Sequence, residues 1–316
     1  MAAPETSQQT YFARWGALQH PHVRALAWLL DAPDLLDPLY PAWQGRVAPL
    51  APLDDGAAAW LQALDQNPAA LDAFLGARQF TRIGLYAEQL LAFYLGQRGR
   101  LVAHGLQVRD ARQITLGEFD FLLEDGAGLE HWELATKFYL LSETGPGAGL
   151  DGLLGPNLAD TLGAKLRKIF SHQLHLGEQA AALGVLARPM TRARAVLKGW
   201  LFYPGAVVTP PGIAADHCRG FWCALAECAA LPDTAYQILP RLSWLAPWQG
   251  SSAPLSRSAL QAALAERFAS HGMPALIAEV AEHGGQWREQ RRGFIVPDDW
   301  RARAAGRAAP SVGGGG

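Results

Sequence analysis

Two carboxylates and an amine stand inside otherwise apolar strands, and no other stretch constrains this chain as strongly. The segment Gly117-Glu118-Phe119-Asp120-Phe121-Leu122-Leu123 leads to a turn at Asp125-Gly126. It is followed by His131-Trp132-Glu133-Leu134-Ala135-Thr136-Lys137-Phe138-Tyr139-Leu140. The pattern reads as two strands joined by a short hairpin. Side chains alternate faces along a strand with period two. Glu118 and Asp120 therefore share one face of the first strand, with Glu118 placed at the strand's mouth. Glu133 and Lys137 share one face of the second, with Ala135 between them. Buried charges are costly unless paired or bound to a metal. A hairpin that sets acid opposite acid, with a lysine nearby, suits a divalent cation with oxygen ligands. The plain alternative is a salt-bridged hairpin with one solvated face.

The rest of the composition sets the frame. At 316 residues the chain is long enough for one large domain or two smaller ones. Half of it is hydrophobic and 18% is charged, which indicates a globular protein. A net charge of −2 argues against general adhesion to nucleic acid but leaves room for a local basic groove. Cys218, Cys223 and Cys228 form no disulfide framework, which suits a reducing cytoplasm. The first residues show no signal-peptide pattern, and no apolar run reaches the ~18 residues of a membrane helix. Only four lysines occur: Lys137, Lys165, Lys168 and Lys198.

The chain divides by pattern into a helical region (1–79), a core (80–205), an α+β extension (206–303) and a low-complexity tail expected to be disordered (304–316). Helical periodicity marks Val23–Leu30, Ala57–Leu75 and Ile83–Gly96, with Glu88 interrupting the apolar stripe of the last. Leu101–Val108 and Arg194–Tyr203 read as strands. Between them, Asp160–Glu178 reads as one amphipathic helix with Lys165, Lys168, His172 and His175 along one stripe and Gln173 as a further polar contact. In the extension, helices are expected near Ala214–Ala230 and Arg257–Ser270, with strands at Tyr236–Leu239 and before Val296.

The order helix with Glu, strand, strand with Asp, strand with Glu and Lys, helix, strand resembles the core of the PD-(D/E)XK, or restriction-endonuclease-like, nucleases. Gly117-Glu118-Phe119-Asp120 looks like the Gly-Glu-aliphatic-Asp entry of the Holliday-junction-resolvase-like members. The resemblance covers about residues 80 to 205 and implies an α/β fold: a mixed four-stranded sheet flanked by helices, under a helical N-terminal layer, with an α+β C-terminal extension. It implies that Asp120 and Glu133 bind Mg²⁺ (or Mn²⁺), that Glu88 supports the metal, and that a lysine activates the attacking water. The position two residues after Glu133, where the family carries that lysine, is Ala135; Lys137 lies two further on, on the same face. Strings such as Leu239-Pro240-Arg241-Leu242-Ser243-Trp244-Leu245 and Arg292-Gly293-Phe294-Ile295-Val296-Pro297 are also similar to a bacterial family of uncharacterised proteins, domain of unknown function 1853.

The expectation is a metal-dependent hydrolase of nucleic acid, with Asp120, Glu133 and Lys137 catalytic and Lys165, Lys168 and His172 meeting substrate phosphates. The alternative is a nuclease-like fold without catalysis that binds nucleic acid or a protein partner. The helix stripe has its own bland reading as a solvated face. The cysteines lack the spacing of a zinc site, and Trp244, Trp248, Trp287 and Trp300 are either base-stacking platforms or core. No Walker A string is present.

Overall fold

The computed structural model describes residues 5–50, 52–78, 80–142 and 149–308. Helices α1 (Ser7–Trp15), α2 (Pro21–Asp31), α3 (Asp55–Gln66) and α4 (Ala69–Leu75) precede α5 (Ile83–Gln97). Pro21 opens α2 at a position where its missing N–H costs nothing. Strands β1 (Leu101–Arg109), β2 (Thr115–Glu124) and β3 (Leu129–Leu141) follow as an antiparallel meander. Next come the short β4 (Leu153–Leu154), α6 (Leu162–Ser171), a 3₁₀ turn (Gln173–His175), α7 (Leu176–Ala182) and β5 (Met190–Tyr203), which pairs parallel with β3. The C-terminal part holds β6 (Cys218–Ala224), a 3₁₀ segment (Leu225–Ala230), β7 (Ala235–Ile238), β8 (Gln249–Gly250), α8 (Arg257–His271), β9 (Ala275–His283), β10 (Gln286–Val296) and α9 (Trp300–Ala308). Among the described residues no helix is long and apolar enough to cross a membrane.

The fold is mixed α/β, but the sheet does not stop at four strands. Its order is β1-β2-β3-β5-β6-β10-β9-β7, with β4 on β3 and β8 on β10, ten strands in all among the described residues. The strands of the C-terminal extension continue the same sheet, because β6 lies parallel between β5 and β10. The helix expected near Ala214–Ala230 is therefore this buried strand followed by a 3₁₀ segment. The expected helix Asp160–Glu178 is also divided, at His172, whose backbone (φ −129°, ψ −58°) leaves helical geometry. Helix α9 runs into the first residues of the expected tail, and 309–316 lie outside the described residues, as does part of the Gly-rich loop at 143–148.

Alternation along β3 sends its two faces to different layers. Trp132, Leu134, Phe138 and Leu140 join the core made with α2 and α5. Ala135, Tyr139 and Leu141 pack with Leu162, Leu166, Ile169 and Phe170 of α6. Glu133 and Lys137 share the odd-numbered face, so they lie under α6. Gly199 of β5 stands opposite Lys137, and a Cβ there would fall 1.9 Å from the Lys137 carbonyl oxygen. Only glycine lets the two backbones meet at that point.

On the other face, Lys198 is fully buried and its ammonium sits 2.8 Å from Asp34. Burial lowers the Lys198 pKa and raises that of Asp34, each opposed by the partner's charge. Removing one partner of a buried pair strands the other charge, so Asp34→Ala should cost about 3–5 kcal/mol in denaturant unfolding. The double variant Asp34→Leu with Lys198→Met should unfold close to wild type. Equal losses in both variants would show that packing, and not the stranded charge, sets the cost.

Candidate functional site

The β2–β3 ladder runs from Glu124–Leu129 to Phe121–Trp132 and ends there. The next residue of β2 is Asp120, and its carboxylate Oδ2 accepts the Leu134 N–H at 2.8 Å in place of a backbone partner. Asp120 is thus fixed where the two strands part. Glu133, 2% exposed, stands one residue before Leu134. Its Oε1 accepts from the Gln173 amide Nε2 and lies 3.7 Å from the Lys165 ammonium. Lys165 in turn donates to Gln173 Oε1 at 3.1 Å. On an unbroken helix, residues eight apart sit about 80° and 12 Å from each other. The break at His172 is what brings Gln173 back to Lys165 and Glu133.

The other Glu133 oxygen, Oε2, is buried without a hydrogen-bond partner. It lies 3.9 Å from Nε2 of His131, a fully buried imidazole whose two ring nitrogens are also unpartnered. Phe119 packs edge-on against that ring, with centroids 4.9 Å apart. Burial pushes the His131 pKa down to about 4, so the ring is neutral near pH 7.

Electrostatics mark the same place. Burial raises the pKa of Glu133, and the Asp120 carboxylate adds to the rise while Lys165 opposes it. Asp120 is raised by burial too, against the Leu134 hydrogen bond and Lys165. Glu88, reaching in from α5, is pushed up to about 7 by burial, then by the charges of Asp120 and Glu118. Carboxylates that resist ionisation together, with one lysine to offset them, are an arrangement that a divalent cation relieves. Among the described residues the charges that bear on Glu88 are those of Asp120, Glu118 and Lys165, with no arginine among them.

Not every expected residue comes to this point. Lys137 turns to Asp160, 3.8 Å away, whose carboxylate also accepts from the Tyr139 hydroxyl at 2.9 Å. It does not stand beside the two acids, and burial lowers its pKa, against the opposing pull of Asp160. Lys168 and His172 are exposed. His175 meets Arg46 and Glu178. Trp244 and Trp300 are buried in the core, and Trp248 and Trp287 pack against it, which leaves none of the four as a free platform. Cys218, Cys223 and Cys228 belong to apolar clusters. Among the described residues, no three His, Cys, Asp or Glu side chains are gathered as a ready metal cage. A cavity of about 950 Å³ lies elsewhere, between α1, the end of α2 and the start of β6, and none of the acid-site residues lines it.

The chain belongs to the family described as Domain of unknown function (DUF1853), whose profile matches residues 24–296. That span takes in the whole of the acid site and leaves α1 outside. No curated protein and no solved structure matches the chain.

Proposed function

We propose that this protein is a Mg²⁺- or Mn²⁺-dependent nuclease with a restriction-endonuclease-like core, hydrolysing phosphodiester bonds of nucleic acid. The reading rests above all on Glu133: a carboxylate 2% exposed, with one oxygen unpartnered, beside Asp120 at the point where two strands part. The order α5, β1–β3, α6 and parallel β5 around that point supports it. The donor set fits a hard cation, since Asp120 and Glu133 offer oxygen ligands and Glu88 a further one for its waters. When bound, such an ion supplies Lewis acidity and a water of lowered pKa.

The chain's own residues have separable tasks. The Leu134 N–H holds the Asp120 carboxylate in place. Gln173 and Lys165 hold Glu133 from α6 and its adjoining turn. Lys165 is the ammonium at the acids, and it takes the part of stabilising negative charge that develops on a phosphoryl oxygen. Glu88, with a pKa of about 7, can hold or release a proton at physiological pH. Lys168 and His172 face solvent near the same helix, where an approaching strand meets them.

One observation favours the rival reading of a non-catalytic binder: Glu133 Oε1 is already taken by Gln173 and Lys165. Titration calorimetry with Mn²⁺ separates the two. The nuclease reading expects binding by wild type and at least a tenfold loss in Asp120→Asn, which keeps an acceptor for Leu134, together with Mn²⁺-dependent cleavage of single- or double-stranded DNA or RNA. Wild type that binds no Mn²⁺ and cleaves none of these leaves only the binder.

A further inference from the structure

We propose that Lys137 and Lys168, next to Lys165 at the acids, form a subsite for a second backbone phosphate of the nucleic-acid strand, and that the Asp160 carboxylate fills it when no strand is bound. This rests on the reading of nucleic acid as the substrate and extends it to Lys137 and Asp160, which that reading leaves without a task.

Of the chain's four lysines, Lys165 and Lys168 lie near enough to Lys137 for their charges to act on it. Lys165 and Lys168 are three apart on α6 and therefore neighbours on its surface. Lys137 lies on the strand face that α6 covers, and Lys165 reaches that same face at Glu133. Four strand residues, about 13 Å, separate Lys137 from Glu133. A phosphate at Lys137 is thus not the one beside the acids but a neighbour a few nucleotides along. Lysine suits this task, since its ammonium acts on phosphate as a point charge.

The charge around Lys137 is not balanced. The groups that face it are Asp160, Lys165, Glu133 and Lys168. Glu133 is already engaged by Gln173 and Lys165, which leaves Asp160 as the carboxylate in contact with Lys137. That carboxylate is 46% exposed, sits at 3.8 Å, and is steered there by the Tyr139 hydroxyl. Asp160 directly precedes Thr161, the N-cap of α6, so it stands at the start of the helix that carries the other two lysines. Lys137 itself is 25% exposed and set on a backbone fixed by the close approach of Gly199. An exposed carboxylate on a half-buried lysine, with two more lysines nearby, occupies the position an incoming phosphate would take.

The test uses a fluorescently labelled single-stranded oligonucleotide with the full chain in excess chelator, so that binding is read without cleavage. Lys137→Gln should weaken binding about five- to tenfold and lower the salt slope by about 0.7, the loss of one phosphate contact. Lys137→Arg should restore the slope. Asp160→Asn keeps an acceptor for Tyr139 and should tighten binding severalfold. A plain structural ion pair predicts otherwise: both Lys137→Gln and Asp160→Asn lose stability and neither changes affinity or slope. That result, or wild type that does not bind, overturns the subsite. Binding with these effects but no cleavage in Mn²⁺ defeats the nuclease reading alone. Cleavage without these effects defeats the subsite alone.

Discussion

Glu133→Gln should make the metal-free protein more stable at pH 8 while removing Mn²⁺ binding and cleavage. Glu133 is buried, and burial together with Asp120 raises its pKa in the folded protein. In the unfolded chain a glutamate titrates near 4.3. A group whose folded pKa is raised adds stability that is fully present below the unfolded value and is lost as pH rises through the folded one. Asp120 and Glu88 act in the same direction, and Glu88 titrates at about 7. The acid site should therefore make wild type more stable near pH 5 than near pH 8. Each unit of upward shift is worth about 1.4 kcal/mol, so an uncharged amide at 133 should recover on the order of a few kcal/mol at pH 8 and little at pH 5. Its carbonyl still accepts from Gln173. Mn²⁺ should reverse the order at pH 8 by stabilising wild type alone, because a ligand that binds only the folded state raises its stability. Thermal unfolding at both pH values, with and without Mn²⁺, measures the stability changes and the metal's effect on them, and an oligonucleotide cleavage assay measures the loss of activity. If Glu133→Gln were instead less stable by the same amount at pH 5 and pH 8, Glu133 would be an ordinary partner of Lys165.

The hairpin was legible because its signal is local. Period-two alternation and a turn at Asp125-Gly126 suffice to place Asp120 and Glu133 on adjacent strands, and β2 and β3 carry them there. What alternation does not encode is the end of the ladder at Phe121–Trp132, which frees Asp120 to hold the Leu134 N–H. The helix after the hairpin was legible in its core stripe, Leu162, Leu166, Ile169 and Phe170, all buried. Its break at His172 was not, because the break answers to Gln173 meeting Glu133 forty residues away. The C-terminal part failed for a related reason. Leu225–Ala230 has a helix-like composition, and the run Cys218–Ala224 before it becomes a strand through parallel pairing with β5 and β10, both distant in sequence. The same pairing hides from local pattern that the extension's strands extend the core sheet. His131 gave no signal of its own, since a histidine in an apolar strand differs from a core histidine only by what it lacks as a partner.

The two lysines should separate in kinetics, and Lys165 should carry the larger effect. Lys165→Met should lower kcat about 10²–10³-fold, the scale of removing one group that stabilises transition-state charge. Mn²⁺ binding should hold or tighten, because the cation no longer competes with an ammonium 3.7 Å from Glu133. Lys137→Met should instead raise KM and change kcat less than about tenfold, since Lys137 faces Asp160 and not the acids. The structure gives a reason for this division. Ala135 occupies the strand position between Glu133 and Lys137 and packs with Leu162 and Leu166 of α6. A small side chain there lets α6 lie close over β3, and the same turns of α6 deliver Lys165 to Glu133. A long side chain at 135 would fill the space that α6 occupies. Steady-state kinetics of both variants on one oligonucleotide decide the matter. A kcat lost in Lys137→Met and kept in Lys165→Met would return catalysis to the strand lysine and leave Lys165 as a brace for Gln173.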